Sequence, residues 1–238
     1  MKTVLFDLDG TLLPMDQDTF IRAYFGGLAK KMAPHGYDPE TLIRGIWLGT
    51  ASMVNNDGTQ TNEDAFWRGF GSIFDRNPRM DEAIFNEFYD QDFPKLSQSC
   101  GFNPDAARLI RLLKSRGCRL VLATNPIFPA AATRNRIRWA GLSWEDFSLV
   151  TTYENSRHCK PNIAYYQDIL DSIGQQAENC IMVGNDVTED MVARELGMDV
   201  FLLTDCLINK DSRDIHCYPH GDFEALTEYL LTKTESGL

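Results

Sequence analysis

The chain opens on an apolar run, Val4-Leu5-Phe6, that stops at two aspartates, Asp7 and Asp9. Such a run predicts a short buried strand with a polar end. After Pro14 the pattern lengthens to helical spacing. Phe20, Ala23, Tyr24, Gly27 and Leu28 form one stripe, with Asp16 or Asp18 as N-cap. Asp38-Pro39 opens a second helix carrying Leu42, Ile43, Ile46 and Trp47. Phe66, Trp67, Phe70, Ile73 and Phe74 make a third stripe, and Asp81 starts a fourth with Ile84, Phe85, Phe88 and Tyr89. Aromatic stripes at this spacing predict a bundle packed on its own core. A polar loop, "NNDGTQTNED", parts the second helix from the third; it predicts a turn around Asp57-Gly58 or a set of substrate contacts.

From about Phe102 the order becomes helix, strand, helix, strand. Asn103-Pro104 starts a helix that Gly117 ends, and "CRLVLATN" follows as a buried strand. A helix from about Phe128 to Ala140, the strand "SLVTTY", a helix from Ile163 to Ile173 and the strand "CIMVGND" come next. A helix from Thr188 to Leu196, the strand "DVFLLTD" and a helix from Asp222 to Leu231 complete the chain. Alternation of this kind predicts a doubly wound, mostly parallel α/β sheet. The expected division is an α/β core of residues 1–14 and 98–238, interrupted by an all-helical cap of residues 15–97.

Composition narrows the function. A chain of 238 residues, 43% hydrophobic and 24% charged, suits a soluble globular protein of one or two domains. Net charge is −11 with no basic stripe, which argues against nucleic acid or an anionic membrane as partner. A small anionic substrate stays open, because a divalent cation inverts the field locally. No run is long and apolar enough to span a bilayer, and the immediate strand leaves no room for a leader peptide. The six cysteines form no CxxC pair and read as reduced thiols of a cytoplasmic protein. "HCYPH", residues 216–220, reads as a loop or edge segment, since Pro219 breaks helical spacing between its histidines.

The candidate chemistry lies at the strand ends. Asp7 and Asp9 share one side of an extended chain, where two like charges call for a cation or a shared proton. Thr124-Asn125 and Gly184-Asn185-Asp186 end two further strands, with Asp190 just beyond, and Lys160 follows the strand between them. In a parallel sheet these polar ends meet on one rim, where ligands of α/β folds bind.

In this order the segments resemble the four motifs of the haloacid dehalogenase superfamily, mostly phosphohydrolases with a Rossmann-like core. Asp7, Asp9 and Thr11 match its DxDxT, Thr124 its second-strand hydroxyl, Lys160 in "CKPN" its lysine, and "VGNDVTED" its acidic fourth motif. The helical segment matches the placement of a cap. The fourth motif departs, with Asn185 where many members carry the first acid.

The resemblance implies an Mg²⁺-dependent phosphatase acting on a small soluble phosphate monoester through an aspartyl-phosphate. Asp7 becomes the nucleophile and a metal ligand, and position 9 gives the metal a backbone carbonyl. Asp186 is the chief acidic ligand, Asp190 a second ligand or an orienting group, and Asn185 takes either part in a shifted register. The Asp9 side chain protonates the leaving oxygen and later activates water. Lys160 and the Thr124 hydroxyl bind phosphoryl oxygens, with Asn125 a substrate contact on the same rim. Thr11 orients Asp9, and Gly10 allows a tight turn. Keeping Asp9 favours ester hydrolysis over dehalogenation, since halide needs no proton. A phosphomutase, or a module that only binds a phosphorylated metabolite, are the alternatives.

Overall fold

The computed structural model describes residues 2–234. Six parallel strands form one sheet in the order β3-β2-β1-β4-β5-β6. They are β1 (Thr3–Phe6), β2 (Arg119–Leu122), β3 (Leu149–Val150), β4 (Cys180–Gly184), β5 (Asp199–Leu203) and β6 (His220–Gly221). The apolar run that opens the sequence is the central strand, with Val4 opposite Leu120 on one side and Ile181 on the other.

Alternation along each strand sends side chains to opposite faces. Val4, Phe6, Leu120, Leu122, Ile181 and Val183 face one core, covered by α5 (Pro104–Ser115), α6 (Ala130–Trp139) and α8 (Phe223–Lys233). Leu5, Val121, Met182, Val200 and Leu202 face a second core under α7 (Ile163–Ile173) and the short 3₁₀ segment Met191–Leu196. The sheet is therefore covered on both faces, as a parallel sheet must be.

Four helices are inserted between β1 and α5: α1 (Gln17–Met32), α2 (Pro39–Val54), α3 (Asn62–Gly71) and α4 (Glu82–Gln91). Asp16, Asp38 and Thr61 cap the first three by accepting amide hydrogen bonds. Phe20, Tyr24, Phe70, Phe85, Phe88 and Phe93 pack into the same apolar cluster as the first face of the sheet. The polar loop before α3 forms the turn around Asp57-Gly58, with Asp57 accepting from the Thr59 amide at 3.1 Å. It also fastens the insertion to the sheet loops: the Asn62 amide donates to the Ser156 carbonyl at 2.8 Å, and its side chain to the carbonyls of Pro126 and His158.

Several elements differ from the pattern-based expectation. The helix expected from Thr188 is only the 3₁₀ stretch from Met191, because Asp186 accepts the amides of Thr188 and Glu189 and holds the preceding residues as a turn. The helix expected from Phe128 starts at Ala130. Pro129 ends the loop and Glu154 accepts the Ala130 amide at 2.8 Å, so a carboxylate sits at the helix start. "SLVTTY" pairs over two residues only, because Thr151 turns its hydroxyl to the carbonyl of Thr124 at 2.7 Å. The "HCYPH" segment ends in the edge strand β6. All six cysteines are free, and no described helix is long and apolar enough to cross a membrane.

Candidate active site

The sequence runs out of β1 into Asp7 at the point where the chain order reverses across the sheet. β2 lies to one side and β4 to the other, and such a switch point leaves a crevice at the strand ends. The Asp7 amide donates to the Val183 carbonyl at 2.9 Å, which fixes its carboxylate at that crevice.

Lys160 meets it there. Its ammonium donates to Asp7 Oδ1 at 2.9 Å and to Asp190 Oδ1 at 2.6 Å. Lys160 is 1% exposed, so its charge depends on those two carboxylates. Burial alone would lower its pKa, but Asp190 and Asp7 outweigh burial and hold it well above the usual lysine value. Burial pushes the Asp190 carboxyl up to about 7, against the pull of Lys160. The second Asp190 oxygen accepts the Asp186 amide at 2.9 Å. A Cβ on Gly184 would stand 2.1 Å from that oxygen, so glycine is required for Asp190 to reach back under the strand end.

Thr11 lies within reach of two acceptors, 3.2 Å from Asp7 Oδ2 and 3.0 Å from Asn185 Oδ1. The expectation that Thr11 orients Asp9 is thus replaced by a contact to Asp7, because the tight turn through Gly10 folds Thr11 back toward the strand. Gly10 has φ +87°, and a Cβ there would stand 2.3 Å from the Asn185 amide nitrogen. Asn185 is held from behind as well, donating to the Cys206 carbonyl at 2.6 Å.

Not all the expected residues converge. Asp190 is turned to Lys160, and Asp186 spends one oxygen on the amides of its own loop. Among the described residues no three acidic, histidine or cysteine side chains form a metal-holding group, and the Lys160 ammonium stands between Asp7 and Asp190, while all three aspartates line the same cavity. Thr124 is buried with Asp7 on the wall of one cavity of about 230 Å³. Asn125 donates to Glu189 Oε2 at 3.0 Å and leaves its own oxygen buried without a partner.

Two residues escape sequence reasoning. Arg136, on α6, is fully buried and pairs with Asp9 Oδ2, donates to Thr133 Oγ1 at 3.2 Å, and lies 4.6 Å from the Phe128 ring centre. Burial raises the Asp9 carboxyl above its ordinary value, Arg136 pulls it back, and Asp7 adds repulsion. The other Asp9 oxygen is buried and unpartnered. Glu189 lines the cavity, and burial raises its carboxyl too. Nothing in an amphipathic helix marks Arg136 in advance; for Glu189 the one available signal was its place in "TED", next to Asp190 of the fourth motif.

Arg136→Met removes the cation paired with Asp9 and leaves its buried carboxyl without that partner. Unfolding free energy should fall by about 2 kcal/mol, below the cost for a sealed pair because Asp9 keeps contact with the cavity. A urea melt reads this, and an unchanged midpoint would show that the pair contributes nothing.

The arrangement can attack phosphorus with one carboxylate, carry a proton on another two residues on, and hold anionic oxygens with Lys160. A family model described as "Hydrolase: haloacid dehalogenase-like hydrolase" matches residues 1–197. A phosphoglycolate phosphatase of Rhodospirillum rubrum is 28% identical over 208 residues, covering 85% of this chain and 79% of that protein. The crystal structure of an HAD phosphatase from Thermococcus onnurineus superposes with a TM-score of 0.59 at 17% identity, over 99% of both chains. A β-phosphoglucomutase from Clostridium difficile gives 0.56 at 15% identity, over 98% of this chain and 97% of that one.

Proposed function

Because the chain belongs to the haloacid dehalogenase-like hydrolases, we propose that it is an Mg²⁺-dependent phosphatase that cleaves a small phosphate monoester through an aspartyl-phosphate on Asp7. The observation that carries this is the Asp7 carboxylate, held by Lys160 and Thr11 at the floor of a cavity that Asp9 also lines.

Asp7 Oδ attacks phosphorus as the ester oxygen leaves. Asp9, whose burial favours its neutral form, gives that oxygen its proton and later takes one from the water that cleaves the acyl phosphate. Lys160 holds charge against the phosphoryl oxygens without moving, since two carboxylates fix it. The Thr124 hydroxyl donates to a phosphoryl oxygen from the end of β2. Arg136, paired with Asp9 Oδ2, fixes where the Asp9 side chain lies beside Asp7.

Five carboxyl groups, Asp7, Asp9, Asp186, Glu189 and Asp190, line this cavity, against one lining cation, Arg136, and Lys160 buried behind Asp7 and Asp190. A phosphate dianion adds to the surplus. The available donors, the Asp7 carboxylate, the Asp9 carbonyl, Asn185 Oδ1 and the second oxygen of Asp186, are all hard oxygens, which suits Mg²⁺. Bound by them, Mg²⁺ would supply the positive charge that lets a carboxylate approach a phosphate.

Phosphomutase chemistry has to seat a second phosphate, and the cavity offers it no unpaired cation among the described residues. A sensor needs no proton donor at position 9. The test is phosphate release from a panel of monoesters. Chelation by EDTA should lower the rate at least about a hundredfold and excess Mg²⁺ should restore it. Release that is indifferent to chelation, or no release from any ester, would remove the proposal.

A further inference from the structure

The wall above the floor has a chemistry of its own. Phe20 and Phe25 from α1, Trp47 from α2, Phe66 and Trp67 from α3, and Phe128 from the loop after β2 line it. Ile21 and Ile46 line it too, and polarity comes from the neutral side chains of Gln17, Thr50 and Asn86 and the hydroxyls of Tyr24, Tyr89 and Tyr153. Among the described residues the lining holds no lysine or histidine, and its one arginine, Arg136, is paired with Asp9 and donates to Thr133, its Nε alone lacking a partner.

These facts discriminate between leaving groups. A carboxylate or a polyhydroxylated chain would give up its water here for a mainly aromatic and aliphatic wall with no lysine or histidine to replace it. An aromatic ring loses nothing on leaving water and gains edge and face contacts. The room is suited to it: a dry cavity of about 150 Å³ takes benzene, and the 230 Å³ here leaves space for the phosphoryl group beside a single ring. Trp47 adds a second sign. It is 51% exposed although it lines the cavity, and its ring meets that of Phe25 at a steep angle, 5.5 Å between centres, so that it is open to solvent and to the cavity at once.

We propose that the substrate is a monoester of an uncharged aryl or arylalkyl alcohol, whose ring lies between the aromatic side chains of α1, α2 and α3. This rests on the phosphatase reading and adds the class of its leaving group.

The test compares esters of alcohols with similar acidity, so that leaving ability does not decide the order. With Mg²⁺ present, kcat/KM for benzyl phosphate should exceed that for phosphoglycolate and for glycerol 1-phosphate by at least about tenfold. Trp47→Ala should lower the value for benzyl phosphate about tenfold, and Trp47→Phe should recover most of it. A calorimetric titration supplies an arm that needs no turnover: benzylphosphonate should bind at least about tenfold more tightly than phosphonoacetate. Equal or better hydrolysis of phosphoglycolate or glycerol 1-phosphate overturns the inference, and so does equal binding of the two phosphonates. If no ester is hydrolysed, the phosphatase reading fails by itself, and the two phosphonates still decide the chemistry of the cavity.

Discussion

Asp7→Asn is expected to lower kcat for phosphate release by on the order of 10³- to 10⁵-fold, with the fold intact. Asparagine has the shape of aspartate, and its oxygen can still accept from Lys160 or Thr11, which stand 2.9 and 3.2 Å from the Asp7 carboxylate. What it lacks is a lone pair able to displace an ester oxygen from phosphorus and then leave with water. No neighbour takes over. Asp190 is locked onto Lys160 beneath the floor, and Asp9 is bound by Arg136. The fold should tolerate the change, because Asp190 still balances Lys160 and the repulsion between Asp7 and Asp190 is lost along with the ion pair. The thermal midpoint should move by no more than a change of about 1 kcal/mol allows, a few degrees for a chain of this size. A stopped assay with an acid-stable aryl phosphate reads the rate, and calorimetry reads the midpoint. Activity within tenfold of the parent would exclude Asp7 as nucleophile, whatever the stability.

The floor of this site was legible because strands announce themselves by composition and parallel strands end on one side. Val4-Leu5-Phe6 before Asp7, "RLVL" before Thr124 and "CIMVG" before Asn185 each place a polar group at a strand end, and the sheet aligns those ends. Lys160 needed more, since it follows a strand of only two paired residues, and the resemblance rather than the periodicity singled it out. The register of the fourth motif was not legible. Whether Asn185, Asp186 or Asp190 turns inward depends on Gly10 and Gly184, whose missing side chains make room for Asn185 and Asp190 respectively. Such space belongs to pairs of residues far apart in the chain. The aromatic stripes are core, as their spacing predicts, but their second role was not legible for a related reason. Phe20, Trp67 and Phe85 lie at core spacing and are buried as core residues are, yet they also line a cavity. Periodicity reports which face of a helix turns inward, not whether what it meets is protein or a ligand. Arg136 is the extreme case: a cation inside a helix that looks solvated along its sequence is drawn in by one carboxylate more than a hundred residues away.

Lys160→Met should have the largest effect on stability and a comparable effect on rate. Methionine keeps the stem's volume and removes the ammonium, so Asp7 and Asp190 are left side by side in a buried place with no cation. Breaking a buried pair from one side costs about 3–5 kcal/mol, since the remaining charge is stranded. For a chain of this length that lowers the thermal midpoint by on the order of 10 °C. The deficit must depend on pH, and its sign follows from Asp190. Burial already raises that carboxyl to about 7 while Lys160 opposes it. Without Lys160 the folded protein holds the proton to still higher pH. A group whose folded pKa lies above its unfolded value adds stability at low pH and loses it as pH rises through the folded value. The variant should therefore come closest to the parent at about pH 5 and fall further behind above about pH 8. Adding Asp190→Asn to Lys160→Met removes the stranded charge, keeps an acceptor for the Asp186 amide, and should return at least about half the lost stability. Activity should not return with it, because the phosphoryl oxygens still lack their fixed cation. Denaturant melts of parent, single and double variants across this pH range separate the two effects. A deficit that stays flat with pH, or a double variant no more stable than the single one, would mean that Lys160 stabilises the floor by packing and not by charge.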